Sequence, residues 1–269
     1  MPATIEFIGV GLMGHGMAKN LLAKGYDVIA LAHRNRAPVD SLLDKGAAEA
    51  ASPREIGERC DMVILCVTGA PQVEAVVFGA DGLLDGLDSG KTLIDCSTGE
   101  PGLVERVAAA CAERGIGMAD APLARTPIEA EAGTLNTFVG ASPEVFEAVE
   151  PVLACFCENI FHMGAAGAGT RTKLINNLIT MGQAALTAEA LCACAATGVD
   201  MRKFYDVISA GGGNSGIFQM IVPAILEQGS FEGMKFSLAN AAKDPGPPCR
   251  LSTAGRPSDL ISCIVFIFV

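Results

Sequence analysis

The chain reads as a doubly wound α/β domain followed by an all-α domain, and three observations predict that division. Short apolar runs alternate with helix-like segments through the first 164 residues, the rhythm of a parallel sheet with crossover helices. The first of those runs meets a G-x-G-x-x-G turn at once, at Gly9, Gly11 and Gly14. After the glycine-rich stretch 164–169 the composition changes to one long alanine- and leucine-rich run over 170–197. The expected domains are therefore 1–164 and 165–269, with 245–269 set apart as an atypical tail.

Each element follows from its residues. Residues 5–8, IEFI, form the first strand, and the segment from Met17 begins a helix. Strand, glycine turn and helix in that order are the context in which G-x-G-x-x-G becomes a dinucleotide-binding, Rossmann-type fingerprint. Gly9 permits the tight turn, Gly11 lets backbone approach a pyrophosphate, and Gly14 lets the helix close on the strand. The helix N-terminus adds free N–H groups and the positive end of its dipole. The alternative is a glycine-rich turn with no ligand. Residues 26–31, YDVIAL, are the second strand. An acid commonly follows that strand to hold a ribose 2′-hydroxyl; here residues 32–36 read AHRNR, with Arg34 and Arg36 and no acid. A guanidinium suits a 2′-phosphate, which favours NADP over NAD; the arginines read equally as solvated loop residues.

A helical segment at 39–43 leads to Gly46, and Ser52, Pro53 and Glu55 supply a cap, a first-turn proline and an early acid for the next helix. The continuous apolar run 62–67 fits a strand buried on both faces, and 92–95 is the strand after it. Ligands of such folds bind beyond the carboxyl ends of the strands, which puts Val67, Thr68 and Thr98 at a cofactor. Residues 120–122 and 134–139 continue the pattern. The second domain is expected to be helical, with a glycine-rich loop at 211–216.

The totals set bounds. At 269 residues the chain can bury a sizeable core. Its net charge of −11 argues against nucleic acid and acidic membrane surfaces as partners. The ten cysteines form no C-x-x-C pair and come without histidines at zinc-site spacing, so no metal is expected. Free thiols among apolar neighbours, with no signal peptide, point to a reducing cytoplasm.

Lys173 and Asn177 lie four apart and share one helix face, with Asn176 and Thr180 paired one residue around. The helix starts beside the glycine hinge, so its first turns are expected to line the cleft between the domains. A lysine there would give a proton to a carbonyl as hydride arrives, or take one in reverse, once burial lowers its pKa. By spacing alone, a solvated Lys–Asn face explains the pattern as well.

The motifs, taken in order, are FIGVGLMGHGMAKNL from Phe7, DMVILCV from Asp61, LIDCSTGEP from Leu93, DAPLARTPIEAEAGTL from Asp120, GAGTRTKLINN from Gly167 and SLANAAKD from Ser237. The chain resembles the β-hydroxyacid dehydrogenase family, which includes 3-hydroxyisobutyrate dehydrogenase and sulfolactaldehyde reductase. The resemblance implies a Rossmann domain, an all-α substrate domain, and NAD(P)-dependent hydride transfer between a short β-hydroxy acid and its semialdehyde. It implies Lys173 as acid/base with Asn177 beside it. Leu12, Met13, Val67, Thr98 and Lys243 fall at its cofactor-contacting positions, and family members form homo-oligomers. Where much of the family has Ser-Gly-Gly, this chain has Ala124, Arg125 and Thr126, similar to the sulfolactaldehyde reductase-like subgroup, which also matches Asn176 and Thr180. Arg125 would then hold a sulfonate or carboxylate; the alternative is a structural arginine paired with Glu129 or Glu131.

The tail departs from the resemblance. Pro245, Pro247 and Pro248 stop any helix after Asp244, and the chain ends on an apolar β-branched run that would aggregate if exposed. The expectation is a helical domain incomplete at its C-terminus, through an altered reading frame or splice. A catalytically silent dinucleotide-binding scaffold or sensor is the competing function, supported by the tail and opposed by Lys173, which also counts against imine reduction.

Overall fold

A computed structural model describes residues 4–33 and 35–229. They divide into two compact units that part between Lys173 and Leu174, inside a helix and four residues beyond Gly169, the last glycine of the hinge.

In the first unit, β1 (Thr4–Ile8) lies between β2 (Asp27–Leu31) and β4 (Met62–Leu65), all parallel. β3 (Ala48–Ala50) joins outside β2, while β5 (Thr92–Asp95) and β6 (Gly117–Asp120) continue beyond β4. The resulting order 3-2-1-4-5-6 is that of a dinucleotide-binding sheet. The chain reverses at β7 (Leu123–Ala124) and β8 (Leu135–Gly140), which run antiparallel to one another, and β9 (Cys157–Gly164) pairs parallel to β8.

Both faces of the sheet are apolar, as continuous runs such as MVIL require. One core layer gathers Ile5, Phe7, Met17, Leu21 and Phe156. The opposite layer gathers Ile8, Ile56, Val63, Leu65, Leu93 and Val107. The covering helices have explicit starts. Ser52 Oγ accepts from Glu55 N at the head of α3 (Pro53–Arg59), with proline in the first turn, the cap the sequence signals. Ser142 caps α8 (Pro143–Leu153) in the same way.

One residue defies this pattern. Glu6, in the middle of β1, is fully buried, and neither carboxyl oxygen has a hydrogen-bond partner among the described residues. Burial pushes it up to about 8, against Arg59 and Lys91 and with Glu55 adding to the rise, so it stays protonated at neutral pH.

The long helix α9 (Ala168–Thr197) begins in the first unit and continues into the second. By length and composition it is apolar enough to cross a bilayer, a property shared with long helices of soluble cores. The second unit continues with α10 (Met201–Ser209) and α11 (Gly216–Gln228). The glycine-rich stretch expected as a loop at 211–216 supplies the turn between them, with Ser215 capping α11 and Gly216 as that helix's first residue. Leu191, Phe218 and Val222 form its core. Lys243 and the whole 245–269 tail lie outside the described residues.

Candidate active site

The glycine turn sits at the carboxyl end of β1, and β1 lies between β2 and β4, where the strand order reverses. Its three glycines answer to different neighbours. Gly9 has φ +99, and a Cβ there would stand 2.2 Å from the Cys66 carbonyl oxygen. A Cβ on Gly14 would stand 2.1 Å from the Gly9 carbonyl oxygen and 2.8 Å from the Phe7 ring. Neither position tolerates a side chain. A Cβ on Gly11 would meet nothing within 4 Å, so that side of its backbone borders open space. That is the division of labour a pyrophosphate cradle needs: two glycines for packing and one for approach. Leu12 projects outward at 83% exposure, and Met13 stands at the N-cap of α1 (Gly14–Ala23). No side chain caps that helix and no acid occupies its first turn, which leaves its positive end open to an anion.

The neighbouring strand ends complete this face. Val67 follows β4, and its N–H donates to Ser97 Oγ at 3.0 Å; Ser97 N in turn donates to the buried Asp95 at 2.9 Å. This ties the loops carrying Val67, Thr68 and Thr98 together. Burial pushes the Cys66 thiol beside them up to about 12, so it is neither thiolate nor nucleophile at neutral pH. Beyond β2, Arg34 lies outside the described residues. Arg36 donates to both Glu49 oxygens, at 2.8 and 3.0 Å, and to Asp40 at 3.2 Å. Two acids from outside the 32–36 stretch therefore hold the second arginine of the expected pair.

The segment 124–126 is built tightly. Arg125 has φ +83, the left-handed region that a branched or long side chain rarely enters. Its guanidinium donates to the Thr134 carbonyl and pairs with Glu158 at 2.5 Å. Thr126 is the N-cap of α7 (Pro127–Ala132) in a full capping box with Glu129. The acid opposite Arg125 is thus neither of the two that the sequence suggests. Glu129 closes the capping box, and Glu131 accepts from Lys19, with His15 Nδ1 2.8 Å away.

Those last contacts bolt α1 to α7. Asn20 Nδ2 donates to the Gly16 and Ala130 carbonyls at 2.8 and 3.0 Å, Lys19 donates to the Glu131 carbonyl at 3.0 Å, and His15 Nε2 lies 3.2 Å from Ser41 Oγ. A Cβ on Gly16 would stand 2.6 Å from α7 backbone. The glycine-turn helix and the helix that follows Arg125 are in backbone contact.

Lys173 is half-buried on α9, one turn beyond Thr170. The start of that helix is fixed by Asp120, at the end of β6 and 1% exposed: Oδ1 accepts from Gly167 N at 2.5 Å and Oδ2 from Thr170 N at 2.6 Å. Backbone contact reinforces the bond. A Cβ on Gly169 would meet the Phe138 carbonyl oxygen at 2.1 Å, and one on Gly140 would meet Asp120 Oδ1 at 2.3 Å. In the second unit Asn177 is buried, Asn176 Nδ2 lies 3.4 Å from Asn177 Oδ1, and Thr180 Oγ donates to the Asn177 carbonyl at 3.2 Å. Sequence reasoning passed over Asp120, Ser97 and the α1–α7 residues. Asp120 heads the DAPLARTP motif, but nothing local says that its partners lie 47 and 50 residues away.

The model for the NAD binding domain of 6-phosphogluconate dehydrogenase matches residues 4–164. That for the NAD-binding domain of NADP-dependent 3-hydroxyisobutyrate dehydrogenase matches 167–250. L-threonate dehydrogenase of Cupriavidus necator is 38% identical over 228 residues, covering 84% of this chain and 76% of its own. 3-Sulfolactaldehyde reductase of Escherichia coli is 33% identical over 244 residues, covering 91% and 81%. A solved structure of Mycobacterium tuberculosis 3-hydroxyisobutyrate dehydrogenase with L-serine superposes with a TM-score of 0.87 at 26% identity, covering 100% of this chain and 94% of that one.

Proposed function

The chain belongs to the β-hydroxyacid dehydrogenase family, and on that premise we propose that it interconverts a short β-hydroxy acid, or its sulfonate analogue, and the corresponding semialdehyde. The observation that carries the reading is the glycine cradle at the switch point, packed at Gly9 and Gly14 and open at Gly11. A nicotinamide cofactor fits it. Bound there, that group supplies the acceptor or donor of hydride. Gly9, Gly11, Leu12, Met13 and Gly14 would hold it from β1 and α1, with Val67, Thr68 and Thr98 from the neighbouring strand ends, and Arg34 and Lys243 as further contacts. NADP is the favoured form: the second family model describes an NADP-dependent enzyme, and no acid stands in 32–36.

Lys173 is the proton-transfer group. In oxidation it takes the hydroxyl proton as the carbonyl forms; in reduction it returns one to the carbonyl oxygen. Arg125 holds the anionic head, with Thr126 beside it, and Asn176, Asn177 and Thr180 orient the rest of the substrate. A carboxylate or sulfonate would displace Glu158 from Arg125, an exchange made cheap by the exposure of that acid. The free thiols among the described residues support a reducing, cytoplasmic setting, and a homo-oligomer is the expected assembly.

The test is turnover of a panel comprising 3-hydroxyisobutyrate, glycerate, 3-hydroxypropionate, L-threonate and 2,3-dihydroxypropane-1-sulfonate, with NADP and with NAD. Activity on at least one, with a lower KM for NADP, is expected. Cofactor binding with no turnover of any would replace this reading with a silent dinucleotide-binding protein.

A further inference from the structure

We propose that Asp120 is a positioning residue for Lys173: its carboxylate holds the first turn of α9, and so the lysine one turn on, against the carboxyl edge of the sheet. The proposal rests on the proton-transfer role given to Lys173 above.

Three observations carry it. The two carboxylate oxygens are divided between two main-chain donors, Gly167 N at 2.5 Å and Thr170 N at 2.6 Å. They fix the start of the helix at two points, not one. The group is 1% exposed, so water does not compete for those donors, and both oxygens are already engaged. That makes Asp120 a poor acid or base and a good clamp. The glycines around it allow no slack, because Gly140 and Gly169 bring β8, β6 and α9 backbones closer than any Cβ permits. Asp95 is its neighbour in register on β5, and that carboxylate is committed to Ser97 N.

A helix transmits position along its axis. Lys173 lies three residues beyond Thr170, about 4.5 Å of helical rise, so a shift of the first turn moves the ammonium by a comparable amount. A displacement of about 1 Å costs on the order of 100-fold in rate where geometry is demanding. Asp120→Asn is nearly isosteric but offers one oxygen and one N–H₂ to two N–H donors. One donor then faces another, and the turn loosens.

The experiment uses the full chain and compares Asp120→Asn, Lys173→Ala and the double variant. Asp120→Asn is expected to bind NADPH with unchanged affinity by nucleotide fluorescence. It should lose about 100-fold in kcat with little change in KM, and to exchange amide hydrogens faster over residues 167–173. In the Lys173→Ala background it should cost nothing further, since a misaimed lysine cannot matter once removed. Full kcat in Asp120→Asn, unchanged exchange over 167–173, or an equal loss in both backgrounds would overturn the proposal. If Asp120→Asn loses NADPH binding, Asp120→Ser takes its place. Loss of binding in both would make Asp120 a folding residue and overturn the proposal too. Undiminished activity of Lys173→Ala by itself overturns the lysine reading instead, and it is recognised before Asp120 is touched.

Discussion

In the unit that ends at Lys173, backbone meets backbone at the decisive places. Gly9 abuts the Cys66 carbonyl, Gly14 the Gly9 carbonyl, Gly16 the end of α7, and Gly169 the carbonyls of β8 and β6. The described part of the second unit is held by side chains. Leu191, Phe218 and Val222 form its core, and α10 has no buried residue of its own. A polar lattice joins its elements instead: Tyr205 donates to Gln219 at 2.6 Å, and Gln219 donates to Ser209 and Asn214 at 2.8 Å each. A site made from backbone is restricted to glycine and is sensitive to bulk. One made from side chains can change its chemistry without disturbing its frame.

Four substitutions test that contrast, from the largest effect down. Lys173→Ala, where the two units part, should lower kcat by about 10³-fold, roughly 4 kcal/mol, within the usual range for a general acid or base. NADPH affinity should be unchanged in a fluorescence titration; a lysine that also holds the frame would lose both.

Glu6→Gln acts on the first unit alone. The folded chain keeps the Glu6 proton up to about pH 8, whereas the unfolded chain loses it near the ordinary carboxylate value. Between those points the unfolded state binds fewer protons, so stability falls as pH rises. The glutamine variant removes that slope. It should be more stable than wild type by about 3 kcal/mol at pH 7 and equal to it near pH 4, as urea unfolding over the same range would report.

Arg125→Met should raise KM for an anionic substrate by about 30-fold, roughly 2 kcal/mol, the worth of a charge-assisted hydrogen bond, with NADPH binding retained. An unchanged KM would leave Arg125 as the partner of Glu158 alone. The smallest effect is reserved for Asn176→Ala: a KM change of about fivefold, with stability within about 0.5 kcal/mol of wild type. A large drop in its unfolding midpoint would break the contrast, since α9 would then need its polar face for packing.

The same contrast explains what could be read from the sequence. Gly9, Gly11 and Gly14 were legible because their residue type states a backbone requirement, and the strands were legible because short apolar runs such as MVIL, alternating with helical segments, fit a doubly covered sheet. The roles proposed for Lys173 and Asn177 came through resemblance alone, as their spacing suits any solvated helix. The partners of Arg125 and Asp120 were not legible. Glu158 is 33 residues from Arg125 and Thr170 is 50 from Asp120, and no local periodicity encodes such a pairing. Arg36 is a further long-range case: the stretch 32–36 holds no acid of its own, yet Glu49 arrives from the next strand to occupy the guanidinium.

The clamp between α1 and α7 has a consequence for redesign. The segment 124–126, proposed above to hold the substrate's anionic head, is the obvious place to exchange specificity between relatives, but it is not a detachable cassette. The helix that follows it rests on Gly16 and is gripped by His15, Lys19 and Asn20. A graft of residues 124–132 would have to travel with that face of α1, or the donor's loop would arrive on a foundation cut for another.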